Sequence, residues 1–282
     1  MIHTNANVQR QLTKMDNGGI HEKAALGFSS SVDAYERGRP GYSETALSFV
    51  RKTILNAATE IDALPPARKP RVLDLAAGTG KFTSLIFDPM SWDLSAVEPI
   101  DEMRSKLNSK LPLVGSVSGT AEKIPFKDEH FDVVTVAQAF HWFDYAPAVI
   151  EIARVLRPGG RLILIWNLRD ESGASWVSQL SEILDRYESG VPRFKTMKWR
   201  SGFQQSPCPL TEVDYQQFSF EQVGDLQLMR DRVASISFIA SLTPGEREIA
   251  LAEMDEVFRS AMNAEGEIKM PYRTHVYVYQ SL

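Results

Sequence analysis

Two carboxylates and a run of small residues are the parts of this sequence best suited to chemistry. Asp74 lies inside a short apolar run, RVLDLA from Arg71, which breaks at once into AAGTG with Gly78 and Gly80. Glu98 closes the next apolar run, LSAVEPI from Leu94. Glycines let a backbone approach a ligand closely and adopt positive φ. A helix beginning near Lys81 adds free N–H groups at the same place. A carboxylate at Asp74 would repel a pyrophosphate but stabilise an ammonium. One at Glu98 suits a ribose diol, because it accepts from both hydroxyls.

These residues need a scaffold that brings the ends of several apolar runs together. The runs recur at Arg71, Leu94, Phe131 (FDVVTVAQ) and Arg161 (RLILIWN). They are nearly continuous rather than alternating, which predicts strands buried on both faces. Between them lie segments with helical spacing, such as Val149, Ile152, Ala153 and Leu156, stopped by RPGG at Arg157 to Gly160. Strands alternating with helices predict a parallel sheet with helices on both faces, and such sheets bind ligands at the strands' carboxyl ends. Upstream, Ser43 can cap a helix carrying Leu47, Val50 and Ile54 on one face, and LPPARKP from Leu64 reads as a linker. VDYQQFSF and the tail RTHVYVYQ alternate as strands do.

A ligand with an ammonium, a ribose and no phosphate describes S-adenosylmethionine. His141 and Trp142 follow the run at Phe131, at the sheet end where its reactive group would sit. His141 can be read as a general base or as a packed, hydrogen-bonded histidine. Trp142 can face a cation through its π electrons or belong to the core. No His/Cys/Asp/Glu cluster has metal-ligand spacing, so no metal is expected.

The bulk numbers exclude several other classes. With 282 residues, 43% hydrophobic and 24% charged, the chain can bury a sizeable core. A net charge of -5 gives no basic track for nucleic acid. No apolar run approaches the roughly 20 residues of a membrane span, the N-terminus has no secretory h-region, and the lone Cys208 excludes an intramolecular disulfide. These features predict a soluble cytoplasmic protein with no membrane and no nucleic-acid partner. They leave its oligomeric state open.

Four ordered motifs give the chain a family likeness: VLDLAAGTG, AVEPIDEM, GTAEKIPFKDEHFDVVTVAQAFHWF and VLRPGGRLIL. From about Phe28 to Trp166 the sequence resembles the class I S-adenosylmethionine-dependent methyltransferases of the type 11 family, and is most similar there to the trans-aconitate methyltransferase-like small-molecule branch. The resemblance implies an α/β Rossmann-like fold, a seven-stranded, mostly parallel sheet with helices on both faces. It implies that Asp74, Ala76, Gly78 and Gly80 line the methionine side of the cofactor, Glu98 the ribose, and Pro99, Met103, Thr120 and Ala121 the adenine. Gln138 would close the pocket beneath the sulfonium, and Tyr35 and Arg39 would lie near the cofactor carboxylate. Ala76 departs from the family glycine and Thr120 from its aspartate.

Residues 1–27 read as a flexible leader and 28–282 as one methyltransferase domain. Its insertions at about 170–212 and 222–265 are expected to form a lid, with Trp176, Tyr187, Phe194, Trp199 and Phe203 lining the acceptor side. The expected activity is methyl transfer by in-line displacement to a small molecule, with the acceptor atom (O, N or S) open. Two alternatives stand beside it. A nicotinamide-dependent oxidoreductase would account for Glu98 but leaves Asp74 unexplained, and puts Thr83 where the third glycine of G-x-G-x-x-G belongs. A non-catalytic S-adenosylmethionine-binding regulator would use the same motifs without turnover.

Overall fold

The computed structural model describes residues 37–62, 68–188, 190 and 192–282; the expected leader and the expected cofactor residue Tyr35 lie outside them. Seven strands form one sheet: β1 (Arg71–Leu75), β2 (Asp93–Val97), β3 (Gly115–Val117), β4 (Phe131–Ala137), β5 (Leu156–Arg169), β6 (Leu210–Gly224) and β7 (Ile268–Ser281). Their order is β3-β2-β1-β4-β5-β7-β6. β1 to β5 pair in parallel, and β7 runs antiparallel to both β5 and β6. β7 therefore opposes the other six, and the sheet is mostly parallel as expected.

Successive strand residues feed two apolar layers, one on each face. Val72, Val133 and Ile163 pack with Leu47, Val50 and Ile54 of helix α1 (Glu44–Asp62), whose first turn is capped by Ser43 Oγ accepting from the Ala46 amide at 3.2 Å. Their neighbours Leu73, Val134 and Leu164 face the other way, onto Val149 and Ile152 of α4 (Tyr145–Val155). Alternation within an all-apolar strand is what a doubly covered sheet requires. Helices α2 (Lys81–Ile86) and α3 (Asp101–Lys110) follow β1 and β2. At the amino end of β4, the fully buried Asp132 accepts from Arg68, Arg157 and the Arg71 amide.

Three local expectations change. RPGG does not stop α4, which already ends at Val155 with the chain extended at Leu156. The tetrapeptide is a break in register, Phe131 pairing with Leu156 and Val133 with Arg161. β3 was invisible in the sequence because it is a three-residue edge strand with exposed ends and no apolar run. The 170–212 segment, read only as aromatics among loops, contains α5 (Ser175–Tyr187). Its Val177, Leu180, Ser181 and Leu184 recur at i, i+3, i+4, i+7, and all are buried.

The rest of the added sequence is α6 (Leu226–Ala234), the short α7 (Ser237–Ala240) and α8 (Pro244–Ala261), which opens with a Thr243–Glu246 capping box and Pro244. With α5 they build a third core from Leu180, Met229, Phe238, Met254 and Phe258, joined to the sheet through Ile268, Met270 and Tyr272 of β7.

Candidate active site at the carboxyl ends of β1, β4 and β5

The loop after β1 is held in a conformation few side chains tolerate. Ala76, Gly78 and Gly80 all have positive φ, of 58°, 59° and 76°. A Cβ at Gly80 would lie 2.9 Å from Leu107 Cγ, so this glycine answers both to backbone conformation and to close packing on α3. Ala76 holds a left-handed conformation that costs an L-residue about 1–2 kcal/mol.

Both carboxylates are buried beside this loop. Asp74 is 1% exposed and accepts from Thr83 Oγ1 at 2.6 Å and Thr135 Oγ1 at 3.0 Å. Burial outweighs those two donors and raises its pKa to about 6. Glu98 is 3% exposed; one oxygen accepts from the Gly78 amide at 2.8 Å and the other from the Ile100 amide at 2.9 Å. Burial raises its pKa to about 7 against the pull of those amides and of Arg104. Glu98 thus also fixes the glycine loop, a role its position in sequence did not reveal.

Two chambers meet above the strand ends. The smaller is lined by Asp74, Ala76, Ala77, Lys81, Phe82, Tyr42 and Ala137. The larger, with about 1070 Å³ of empty space including its open mouth, is lined by His141, Trp142, Trp166, Arg169, Arg193, Phe194 and Phe238 among others. Arg39, Gln138, Asn167 and Arg232 line both. Gln138 sits at this junction with φ 60°, its amide donating to the Ile165 carbonyl at 2.8 Å. A non-glycine residue strained at a junction of cavities is a usual mark of a working position. Arg39 donates to the Ser235 carbonyl at 3.1 Å. Asn167 is spent on the scaffold: it donates to the Gly41 carbonyl at 2.7 Å and accepts from Thr274 Oγ1 at 2.7 Å.

His141 accepts from the indole Nε1–H of Trp166 on Nδ1, at 3.2 Å. Desolvation, then Arg193 and Arg39, lower its pKa to about 3, so the ring is neutral. Trp142 is half-buried and packs against the third core while lining the larger chamber.

The remaining expected positions are distributed less tightly. Gly78, Gly80, Glu98, Pro99, Met103, Thr120 and Ala121 line neither chamber; Met103 and Ala121 are each 3% exposed. Of the five aromatics expected to line the acceptor side, only Phe194 does so. Trp199 is fully buried against Trp166 and Tyr277, Phe203 stacks on Tyr279 at 4.0 Å, and Trp176 meets Phe258 edge-on. The segment around Trp199 is therefore part of the main core rather than a detachable cover. Sequence reasoning missed Thr83, Thr135, Trp166, Arg193 and Arg232. Thr83 had a signal, since it stands where a nucleotide-binding motif would carry glycine.

The sheet order, the glycine loop and the paired acids define the class I methyltransferase fold. Residues 73–164 match the family described as Methyltransferase domain. The chain belongs to the methyltransferase family. It is 39% identical over 252 residues to the Mycobacterium tuberculosis protein described as uncharacterized methyltransferase Rv3342, covering 89% of this chain and 93% of that one. The Schizosaccharomyces pombe methyltransferase-like protein C25B8.10 is 34% identical over 249 residues, 88% of this chain and 92% of its own. The solved structure of Bacillus subtilis YcgJ shares the fold, with a TM-score of 0.53, 24% identity and coverage of 85% of this chain and 99% of that one. Among the described residues no helix is long and apolar enough to cross a membrane, and no His/Cys/Asp/Glu group could hold a metal ion.

Proposed function

We propose that this chain is an S-adenosylmethionine-dependent methyltransferase acting on a small molecule. The carrying observation is the pair of joined chambers, one with a buried carboxylate and a side-chain-poor loop, the other walled by the added helices. The smaller chamber suits the cofactor: Asp74 offers a carboxylate to a cationic group, and Ala76 and Ala77 present little side chain to an extended chain. Bound there, S-adenosylmethionine would supply an electrophilic methyl group on a sulfonium.

The chain's own residues then align and enclose. Gln138 and Arg39 border both ligands, and Glu98 keeps the loop in place while its acceptor capacity favours a diol. Trp142, Phe194 and Phe238 keep water off the acceptor side. Nδ1 of His141 is occupied by a donor and its ring is neutral, so the site fits transfer by proximity and alignment, with no histidine base. Thr83, which breaks the dinucleotide motif, is engaged by Asp74, and this weighs against a nicotinamide enzyme.

The test is calorimetric titration with S-adenosylmethionine beside a fluorescence titration with a reduced nicotinamide cofactor. A labelled-methyl assay on cell extract then identifies the product. Binding of the nicotinamide and not of S-adenosylmethionine would overturn the proposal.

A further inference from the structure

Among the described residues, two cations of the larger chamber have no ion-pair partner. Arg232 is 6% exposed; its Nε donates to the Tyr272 hydroxyl at 2.9 Å, and its buried Nη1 has no hydrogen-bond partner. Arg169 has its Nε buried without a partner, and among the described residues neither arginine forms an ion pair. The nearby acids are committed elsewhere: Glu188 pairs with Arg193 at 3.0 Å and Asp185 with Lys195 at 2.6 Å, while Glu171 is exposed at the rim. Burial, with the neighbouring charges of Arg232 and Arg193, depresses the Arg169 pKa to about 10.

Two like charges taken out of water beside each other destabilise a fold unless a counter-charge joins them. Guanidinium groups with free N–H donors match the two-oxygen edge of a carboxylate or phosphate. Phe194 and Phe238 line the same chamber, offering an apolar surface next to that charge.

Resting on the methyltransferase reading for what the chamber serves, we infer that the acceptor is a small organic anion. Its carboxylate or phosphate group is clamped by Arg169 and Arg232, and its apolar body lies on Phe194 and Phe238. The anionic group anchors the molecule and sets selectivity against neutral analogues.

The test uses the full chain and three probes of one size, butyrate, butyl phosphate and butyramide, followed by calorimetry and thermal unfolding at low salt. At least one anion should bind ten-fold or more tightly than the amide, and which one does so distinguishes the carboxylate from the phosphate. Arg169→Gln should abolish that preference while leaving S-adenosylmethionine affinity unchanged, and the ligand-free variant should melt no lower than the parent. Arg232 packs on Tyr272, so Arg169→Gln rather than a change at Arg232 carries the test. Equal binding of all three probes, or anion binding unchanged in Arg169→Gln, overturns the inference. Cofactor titration of the same samples keeps the two readings apart. Cofactor binding without anion preference sinks the anion inference alone, and anion preference without cofactor binding sinks the proposed function alone.

Discussion

The Trp166 indole donates to His141 Nδ1 across 3.2 Å, and this contact fixes where the imidazole proton resides. A neutral ring that accepts on Nδ1 carries its proton on Nε2, so it can donate a hydrogen bond but has no free lone pair for a substrate proton. With its pKa lowered to about 3, His141 does not titrate in the working range. The rate should show no His141 inflection between about pH 5 and 8, and His141→Ala should lower kcat by less than about ten-fold, against the 10²-fold or more expected of a lost base. An inflection near the ordinary histidine value that vanishes in the variant would restore the base.

The raised acids predict a proton linked to cofactor binding. Asp74 titrates at about 6 folded against an ordinary value of 3.8, and Glu98 at about 7 against 4.5. As pH rises, the unfolded chain loses each proton first. The stability due to these two groups is therefore full below about pH 4 and declines until about pH 7. A bound cation stabilises ionised Asp74 and reverses part of that decline. At pH 6 binding of S-adenosylmethionine should release protons, read as a dependence of binding enthalpy on buffer ionisation enthalpy. Proton uptake would contradict the assignment of Asp74.

Glu98 should reveal two separable roles. Glu98→Ala is expected to weaken cofactor binding by about 1–3 kcal/mol and also to destabilise the protein, because the Gly78 and Ile100 amides lose their acceptor. Glu98→Gln keeps an acceptor oxygen, so it should lose affinity with a smaller loss of stability. Calorimetry and urea unfolding of both variants check this; unchanged affinity in both would remove Glu98 from the cofactor site.

Ala76 is a place where the sequence works against its own backbone. With φ at 58°, Ala76→Gly should raise stability by about 0.5–1 kcal/mol, the relief of strain exceeding the added freedom of the unfolded chain. A lower midpoint in urea would show that the alanine methyl makes a contact worth more than the strain.

At the opposite end of the sheet, Asp132→Ala should cost about 3 kcal/mol or more, since it strands Arg68, Arg157 and the Arg71 amide around an absent carboxylate. Cofactor affinity should not change, because Asp132 sits at the amino end of β4, away from the loop after β1. A paired measurement of stability and affinity tests both halves.

Much of this was legible in the sequence wherever one residue's signal was local. The buried strands announced themselves as apolar runs, Ser43 as a cap, and Gly78 and Gly80 as a loop closing on something. Ala76 kept the left-handed conformation despite its methyl group. What was not legible depended on partners distant in the chain. Arg169 and Arg232 are 63 positions apart by their numbers, and nothing in either neighbourhood shows that they share a cavity. Trp199 and Phe203 looked like pocket walls because aromatic richness does not distinguish a pocket from a core. β3 carried no pattern because its position is set by pairing with β2, which no periodicity encodes.

The residues before α1 are pressed onto α6. A Cβ at Gly38 would fall 2.5 Å from the Arg232 amide nitrogen, Arg37 pairs with Asp231, and Arg39 reaches the Ser235 carbonyl. The strap and α6 thus form one packed unit that walls both chambers, through Arg39 on one side and Arg232 on the other. Because both arginines line both chambers from these two pressed segments, any coupling between ligands in the two is reciprocal: whatever factor one multiplies into the other's affinity, the other returns.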